Sequence, residues 1–178
     1  MIFIETSLKG AYVVEIEEQF DERGYFARGW CKAEMEKMGL ESNLVQCNIS
    51  YNANSGTLRG MHFQKEPYGE TKYIRCIKGS LYDVIIDLRE DSETFGKWTG
   101  VELTEKNGRA IYVPKGFAHG YLTLEDNTIA FYQVTEFYNK SAEGGVRWND
   151  PRFNIDWPIK ENLIISSKDK LWPLYEDR

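Results

Sequence analysis

Residues 71–88 read TKYIRCIKGSLYDVIIDL, two β-rich runs separated by Gly79-Ser80, a tight-turn signal. Taken alone, they make the clearest hairpin in the chain. Side chains on a strand alternate between its faces, so Lys72 lies on the face of Ile74 and Cys76, whereas Tyr73, Arg75 and Ile77 point the other way. A lysine on the more apolar face is a candidate inward-pointing charge. Outward from this pair, residues 12–16, 43–50, 57–64, 98–103, 109–113, 120–124 and 127–137 also read as strands, separated by Gly, Asn, Asp or Pro clusters. This spacing predicts an all-β sandwich or barrel. Only residues 31–38 read as a helix, with one further helical turn over residues 166–170. In the run 127–137, Tyr132 shares its face with Ala130 and Val134, small neighbours that leave space beside its hydroxyl. Inward Lys72 and Tyr132 together predict a polar cavity inside the β-structure, where small barrels hold ligands.

The 178 residues carry 22 Lys and Arg against 28 Asp and Glu, a formal charge of −6. Nucleic-acid binding through bulk charge is thereby excluded. Length and 42% hydrophobic content fit one domain, residues 1–178, able to bury a full core. No repeat, low-complexity tract or Pro- or Ser-rich linker divides it. No apolar run approaches the roughly 20 residues a spanning helix needs. The start, MIFIETSLKGAYVVEIEE, is acidic and lacks a signal-peptide apolar block, so a cytoplasmic location with no membrane partner is expected. Cys31, Cys47 and Cys76 are odd in number and form no CxxC pair, which fits reduced thiols.

The aromatic content is high, with 5 Trp, 11 Tyr and 9 Phe, but there are only 2 histidines. Any imidazole chemistry must therefore use His62 or His119. An iron or manganese site built on three imidazoles cannot be filled, and no Cys or carboxylate spacing completes a tetrahedral zinc set. Metal-free acid–base chemistry without a cofactor is the expectation.

GTLRGMHFQ gathers Arg59, His62 and Gln64 in one glycine-interrupted strand. A lone strand histidine is more often a hydrogen-bonded structural residue than a catalyst. Arg59 and His62 also fall on opposite faces of an ideal strand, unless Gly60 marks a bulge or twist. In VPKGFAHG, His119 follows a turn set by Pro114 and Gly116, and reads equally well as a cap of that turn or as a site residue. Arg23 in DERGYF, and Glu143 and Arg147 in AEGGVRWNDPRF, read by default as solvated charges. Lys168 and Asp169 in SSKDK look on composition like an exposed helix end. No GxSxG, P-loop or GxGxxG motif is present.

The ordered series DERGYF, VQCNIS, LRGMHFQ, TKYIRCIKGSLYDVIIDLR, TFGKW, VPKGFAHGY, FYQVTEFY, EGGVRWNDP and SSKD resembles the dTDP-4-dehydrorhamnose 3,5-epimerase family of nucleotide-sugar enzymes, over residues 21–169. The resemblance implies a cupin-like jelly roll, no metal, and a homodimer. It implies that His62 is the general base, Tyr132 the acid that delivers a proton from the other side, and Asp169 the carboxylate that orients the base. Lys72 matches the residue near the keto oxygen, and His119 a further cavity residue. Arg23 and Arg59 match contacts to the diphosphate and sugar end, with Gln46, Asn48, Glu143 and Lys168 around the nucleotide or sugar. Tyr138 matches the aromatic that stacks on the nucleotide base. Two departures stand out: Arg28 where the family commonly has a glutamate, and one extra residue in the loop between Ser50 and Arg59.

These implications form a coherent chemistry. A C–H beside a ketone is a weak acid, so its removal needs a placed base and a stabilised enolate oxygen. Inversion then needs reprotonation from the opposite face, hence a second residue. The leading expectation is a nucleotide-sugar epimerase inverting C3 and C5 of dTDP-4-keto-6-deoxy-D-glucose to give dTDP-4-keto-L-rhamnose. The alternatives are a mono-epimerase on another nucleotide-linked 4-keto sugar and a non-catalytic sugar-binding jelly roll.

Overall fold

The computed structural model describes residues 1–175 of the chain. In chain order the elements are β1 (Ile2–Glu5), β2 (Tyr12–Glu15), β3 (Gln19–Asp21), β4 (Gly24–Phe26), α1 (Lys32–Lys37), β5 (Gln46–Asn52), β6 (Thr57–Gln64) and β7 (Lys72–Lys78). They continue with β8 (Ser80–Asp87), β9 (Trp98–Thr104), β10 (Ala110–Val113), β11 (Phe117–Thr123), β12 (Thr128–Val134), β13 (Glu143–Gly145), β14 (Ile164–Ile165) and α2 (Ser167–Lys170). Two open sheets face one another, a cupin-like jelly roll of the sandwich kind. The first runs β1-β2-β10-β7-β12-β5, the second β13-β6-β11-β8-β9, with β14 beside β6.

The expected hairpin over residues 71–88 does not form. β7 pairs with β10 and β12 in the first sheet, and β8 pairs with β11 and β9 in the second. Gly79 alone joins them, at φ 75°, and a side chain there would meet Thr128 Oγ1 at 2.5 Å. One residue in the left-handed region makes a corner between sheets rather than a two-residue hairpin turn. The corner lets each strand bury its apolar face against the other sheet. Ile74 and Cys76 from β7 meet Leu81 and Ile85 from β8 in the core between the sheets, joined by Leu103, Ile111 and Phe117. Each such aliphatic side chain taken wholly from water contributes about 1.5–3 kcal/mol.

The outer faces are covered too. Residues 146–165 lay Val146, Phe153 and Trp157 over Leu58, Met61 and Val84 of the second sheet. On the first sheet, Met35 of α1 packs with Val14, Tyr73 and Tyr112. β3 and β4 form a separate two-stranded ribbon carrying exposed Phe20 and Phe26.

Candidate active site between the two sheets

The strand pairings place the polar side chains by register. Tyr132 on β12 lies opposite Asn48 on β5 and Ile74 on β7, and Val134 lies opposite Gln46 and Lys72. Directly paired residues share a face, so Gln46, Asn48, Lys72 and Tyr132 all point inward from the first sheet. Cys47, Ile49 and Tyr51 alternate to the outer surface. The inward lysine expected from residue parity is found: Lys72 is 8% exposed.

His62 comes from the second sheet, and a bulge decides what accompanies it. On β11, His119 pairs with His62 and Tyr121 with Arg59, two residues apart against three on β6. The extra residue resolves the conflict of faces that an ideal strand would impose on Arg59 and His62, as a bulge at Gly60 was expected to do. Both now share the face of His119 and Tyr121. Gly60 sits at φ 136°, and a Cβ on it would lie 2.5 Å from Gly120 Cα, so glycine is needed for conformation and for closeness.

Arg59 then reaches across to the first sheet, where its Nε donates to Asn52 Oδ1 at 2.8 Å. Asn52 in turn donates to the Tyr121 hydroxyl, which donates to Ser50 Oγ at 2.7 Å. Among the described residues no carboxylate pairs with Arg59. That leaves its charge available to an anion.

A cavity of about 400 Å³ lies between the sheets, with His62, Gln64 and Glu143 on one side and Lys72, Tyr132 and Asn48 on the other. Asp169 Oδ1 lies 2.6 Å from His62 Nε2. Composition suggested that Asp169 was exposed, but it is 4% exposed. The turn 166–170 tucks it inward: Ser166 Oγ accepts from the Asp169 amide, and the Gly60 amide donates to Asp169 Oδ2 at 3.4 Å. Burial pushes the Asp169 carboxyl up, but the bonds from His62, Gly60 and Ser166 outweigh it and hold it below the usual carboxylate range. An ionised Asp169 fixes Nε2 of His62 as the donor, which leaves Nδ1 to accept a proton. The Trp172 ring meets the imidazole edge to face at 6.2 Å.

Across the cavity, burial raises the Tyr132 phenol above its ordinary value, reinforced by Tyr121 and Glu70 and opposed by Arg59. The phenol therefore keeps its proton near neutral pH. Lys72 Nζ lies 3.2 Å from Glu70 Oε1 and donates to the His62 carbonyl at 3.4 Å. His119 does not cap the preceding turn. The strand begins two residues before it, and its Nε2 lies 2.9 Å from Asp83 Oδ2. Burial raises the Asp83 carboxyl, with His119 and Lys72 pulling the other way.

Toward the mouth, Lys168 pairs with Glu143, whose Oε2 accepts from the Tyr138 hydroxyl at 3.2 Å. The Tyr138 amide donates to Gln46 Oε1 at 2.8 Å, while its ring remains 59% exposed. Arg23 is not brought into this cavity. It stands 82% exposed on the β3–β4 ribbon, paired with Asp21. Arg28 is also elsewhere, 3.4 Å from Glu34 beside the amino terminus. Glu70, Asp83 and Trp172 were not singled out in the sequence. Asp83 had a usable signal, since it sits within β8 on the face of Leu81 and Ile85, whereas Glu70, which precedes β7, and Trp172 reach the site only through tertiary packing.

A family model described as dTDP-4-dehydrorhamnose 3,5-epimerase matches residues 5–177. The chain is similar to dTDP-4-dehydrorhamnose 3,5-epimerase of Methanothermobacter thermautotrophicus, at 47% identity over 98% of this chain and 95% of that protein. Among solved structures, it is similar to dTDP-4-dehydrorhamnose 3,5-epimerase of Bacillus anthracis with TDP and PPi bound. The TM-score is 0.94 at 44% identity, covering 98% of this chain and 99% of that one. It is also similar to dTDP-6-deoxy-D-glucose-3,5-epimerase of Legionella pneumophila in complex with dTDP-4-keto-L-rhamnose. There the TM-score is 0.89 at 32% identity, covering 99% of each chain.

Proposed function

The chain belongs to the dTDP-4-dehydrorhamnose 3,5-epimerase family, and from that premise we propose that the cavity between its sheets is where the family's epimerisation takes place. The reaction converts dTDP-4-keto-6-deoxy-D-glucose to dTDP-4-keto-L-rhamnose, in dTDP-rhamnose and surface-polysaccharide synthesis. One observation supports this assignment most strongly: His62, bonded to buried Asp169, faces the cavity from one sheet while Tyr132 faces it from the other.

In this reading Nδ1 of His62 removes the proton from carbon beside the ketone, and Asp169 stabilises the imidazolium that forms. The Lys72 ammonium meets the oxygen on which negative charge develops. The Tyr132 phenol returns a proton to the opposite face of the same carbon, which inverts it. His62 then releases its proton to solvent and Tyr132 takes one up from it, which resets both groups before the same steps occur at the second carbon. Arg59 holds the diphosphate end. Gln46, Asn48, His119, Glu143 and Lys168 line the sugar and nucleotide, and Tyr138 stacks on the base. The chemistry requires neither metal nor cofactor.

We also propose that residues 1–178 act as a single domain and that the protein is a cytoplasmic homodimer. Exposed Ile49 and Tyr51 on the edge strand β5, with Phe20 and Phe26 on the ribbon, form apolar surface of the kind a second copy covers. No helix of the described residues is long and apolar enough to cross a membrane. Sedimentation at twice the chain mass is the expected result for the dimer.

The test of the reaction is incubation with dTDP-4-keto-6-deoxy-D-glucose in deuterated water. Deuterium at both C3 and C5 is expected. Label at one carbon would replace the reading with mono-epimerisation, and label at neither would overturn it.

A further inference from the structure

We propose that Glu70 is a positioning residue of this site: its carboxylate fixes the Lys72 ammonium at the cavity wall, where it meets the substrate oxygen. The inference rests on the role assigned to Lys72 above. Glu70 lies just before β7 and lines the same cavity as His62 and Tyr132. Its Oε1 is 3.2 Å from Lys72 Nζ, with the two side chains 13% and 10% exposed. A lysine stem has four rotatable bonds, so a buried ammonium holds one place only if an anchor selects it. Two anchors are present, the His62 carbonyl at 3.4 Å and the Glu70 carboxylate. The carbonyl belongs to the residue that carries the base, so Lys72 is tied to His62 on one side and to Glu70 on the other. Glu70 is itself held by the Gln64 amide, whose Nε2 donates to Oε2 at 3.4 Å.

The same carboxylate acts on the proton donor. Around Glu70 stand Lys72 on β7, His62 and Gln64 on β6, Tyr132 on β12, and Glu143 and Tyr138 at the mouth. Burial does most to oppose formation of the Tyr132 phenolate, Tyr121 and then the negative charge of Glu70 add to it, and Arg59 favours it. Glu70 therefore serves both partners of the reaction, a fixed cation for the oxygen and a retained proton on the phenol.

Glu70→Gln keeps the acceptor oxygen and removes the charge. The expected result is a fall in kcat of about tenfold, less than the roughly 100-fold typical for losing a transition-state donor outright, with KM within about twofold. The basic limb of the kcat profile should move to lower pH, because the phenol loses a neighbouring anion. Glu70→Asp retains the charge on a shorter stem, so the basic limb should stay in place while kcat falls a few-fold. Wild-type kcat with an unmoved basic limb in Glu70→Gln would overturn the proposal, as would a loss confined to KM. Should Glu70→Gln not fold, Glu70→Asp carries the test, and wild-type kcat there overturns it. Wild-type enzyme run alongside separates the two readings: absent turnover there sinks the reaction, whereas normal turnover with indifferent Glu70 variants sinks only this inference.

Discussion

Asp169 Oδ1 lies 2.6 Å from His62 Nε2, although 107 residues separate the two in the chain. The contact joins the short α2 turn to β6 and leaves Nδ1 as the imidazole nitrogen that can accept a proton. Asp169→Asn retains the shape but offers an amide in place of the anion, which removes support for the imidazolium and permits the wrong tautomer. We expect kcat to fall by about 100-fold or more with KM little changed. Steady-state kinetics, with solvent-deuterium exchange as a second readout, checks this. A kcat within threefold of wild type would show that His62 needs no oriented tautomer.

Gly60→Ala tests the bulge. The added methyl would lie 2.5 Å from Gly120 Cα and the backbone would be held at φ 136°. Backbone strain and overpacking together make a loss of about 2–4 kcal/mol the expected outcome in urea unfolding. The folded fraction should also lose activity, because Arg59 and His62 would no longer be presented together. Unchanged stability would mean that β6 and β11 can separate at this point without cost.

Tyr138 is expected to act on binding alone. Its ring is largely exposed at the mouth, anchored through its amide to Gln46 and its hydroxyl to Glu143. Tyr138→Ala should raise KM by about tenfold while leaving kcat at saturation nearly unchanged, the signature of lost uniform binding. Measured affinity for dTDP should drop in parallel. Normal affinity would remove Tyr138 from the nucleotide site.

Asp87 predicts an acid limb of stability that has nothing to do with catalysis. Burial raises this carboxyl, but bonds from Arg89, Ser92 and Thr94 dominate and bring it from 3.8 down to about 2. A depressed carboxyl stabilises the fold above its unfolded value, and that contribution is lost as pH falls from about 4 to about 2. The gap corresponds to about 2 kcal/mol. Denaturation of wild type and Asp87→Asn across that range should show the difference between them shrinking as pH falls. A constant difference would place the acid sensitivity elsewhere.

Much of this architecture was legible in strand alternation. Lys72 and Tyr132 were readable as inward-facing because Ile74, Cys76, Ala130 and Val134 share their faces, and two-residue periodicity is a local property. The partner of each strand was not local. β7 and β8 are joined by one residue and look like a hairpin, yet they lie in different sheets, a choice made by burial of both inner faces rather than by the turn. The same limit hid Asp169 from everything except the family resemblance. A charge in SSKDK carries no mark of burial, because what packs against it is Gly60 and His62, more than a hundred residues away along the chain. Glu70 lies just outside β7, where strand parity does not reach, and its value depends on a salt bridge that only the packed cavity reveals.

The placement of the proposed base and acid on separate sheets has a consequence for residues outside the cavity. The distance between His62 and Tyr132 is set by whatever keeps the two sheets apart. Ile74 and Ile85, fully buried between them, therefore act as spacers that gauge the reactive gap. A methylene removed from either would be felt as a loosened core, and also as a change in reach between two groups whose alignment tolerates about 1 Å. In this fold the hydrophobic core doubles as the calibration of the catalytic pair.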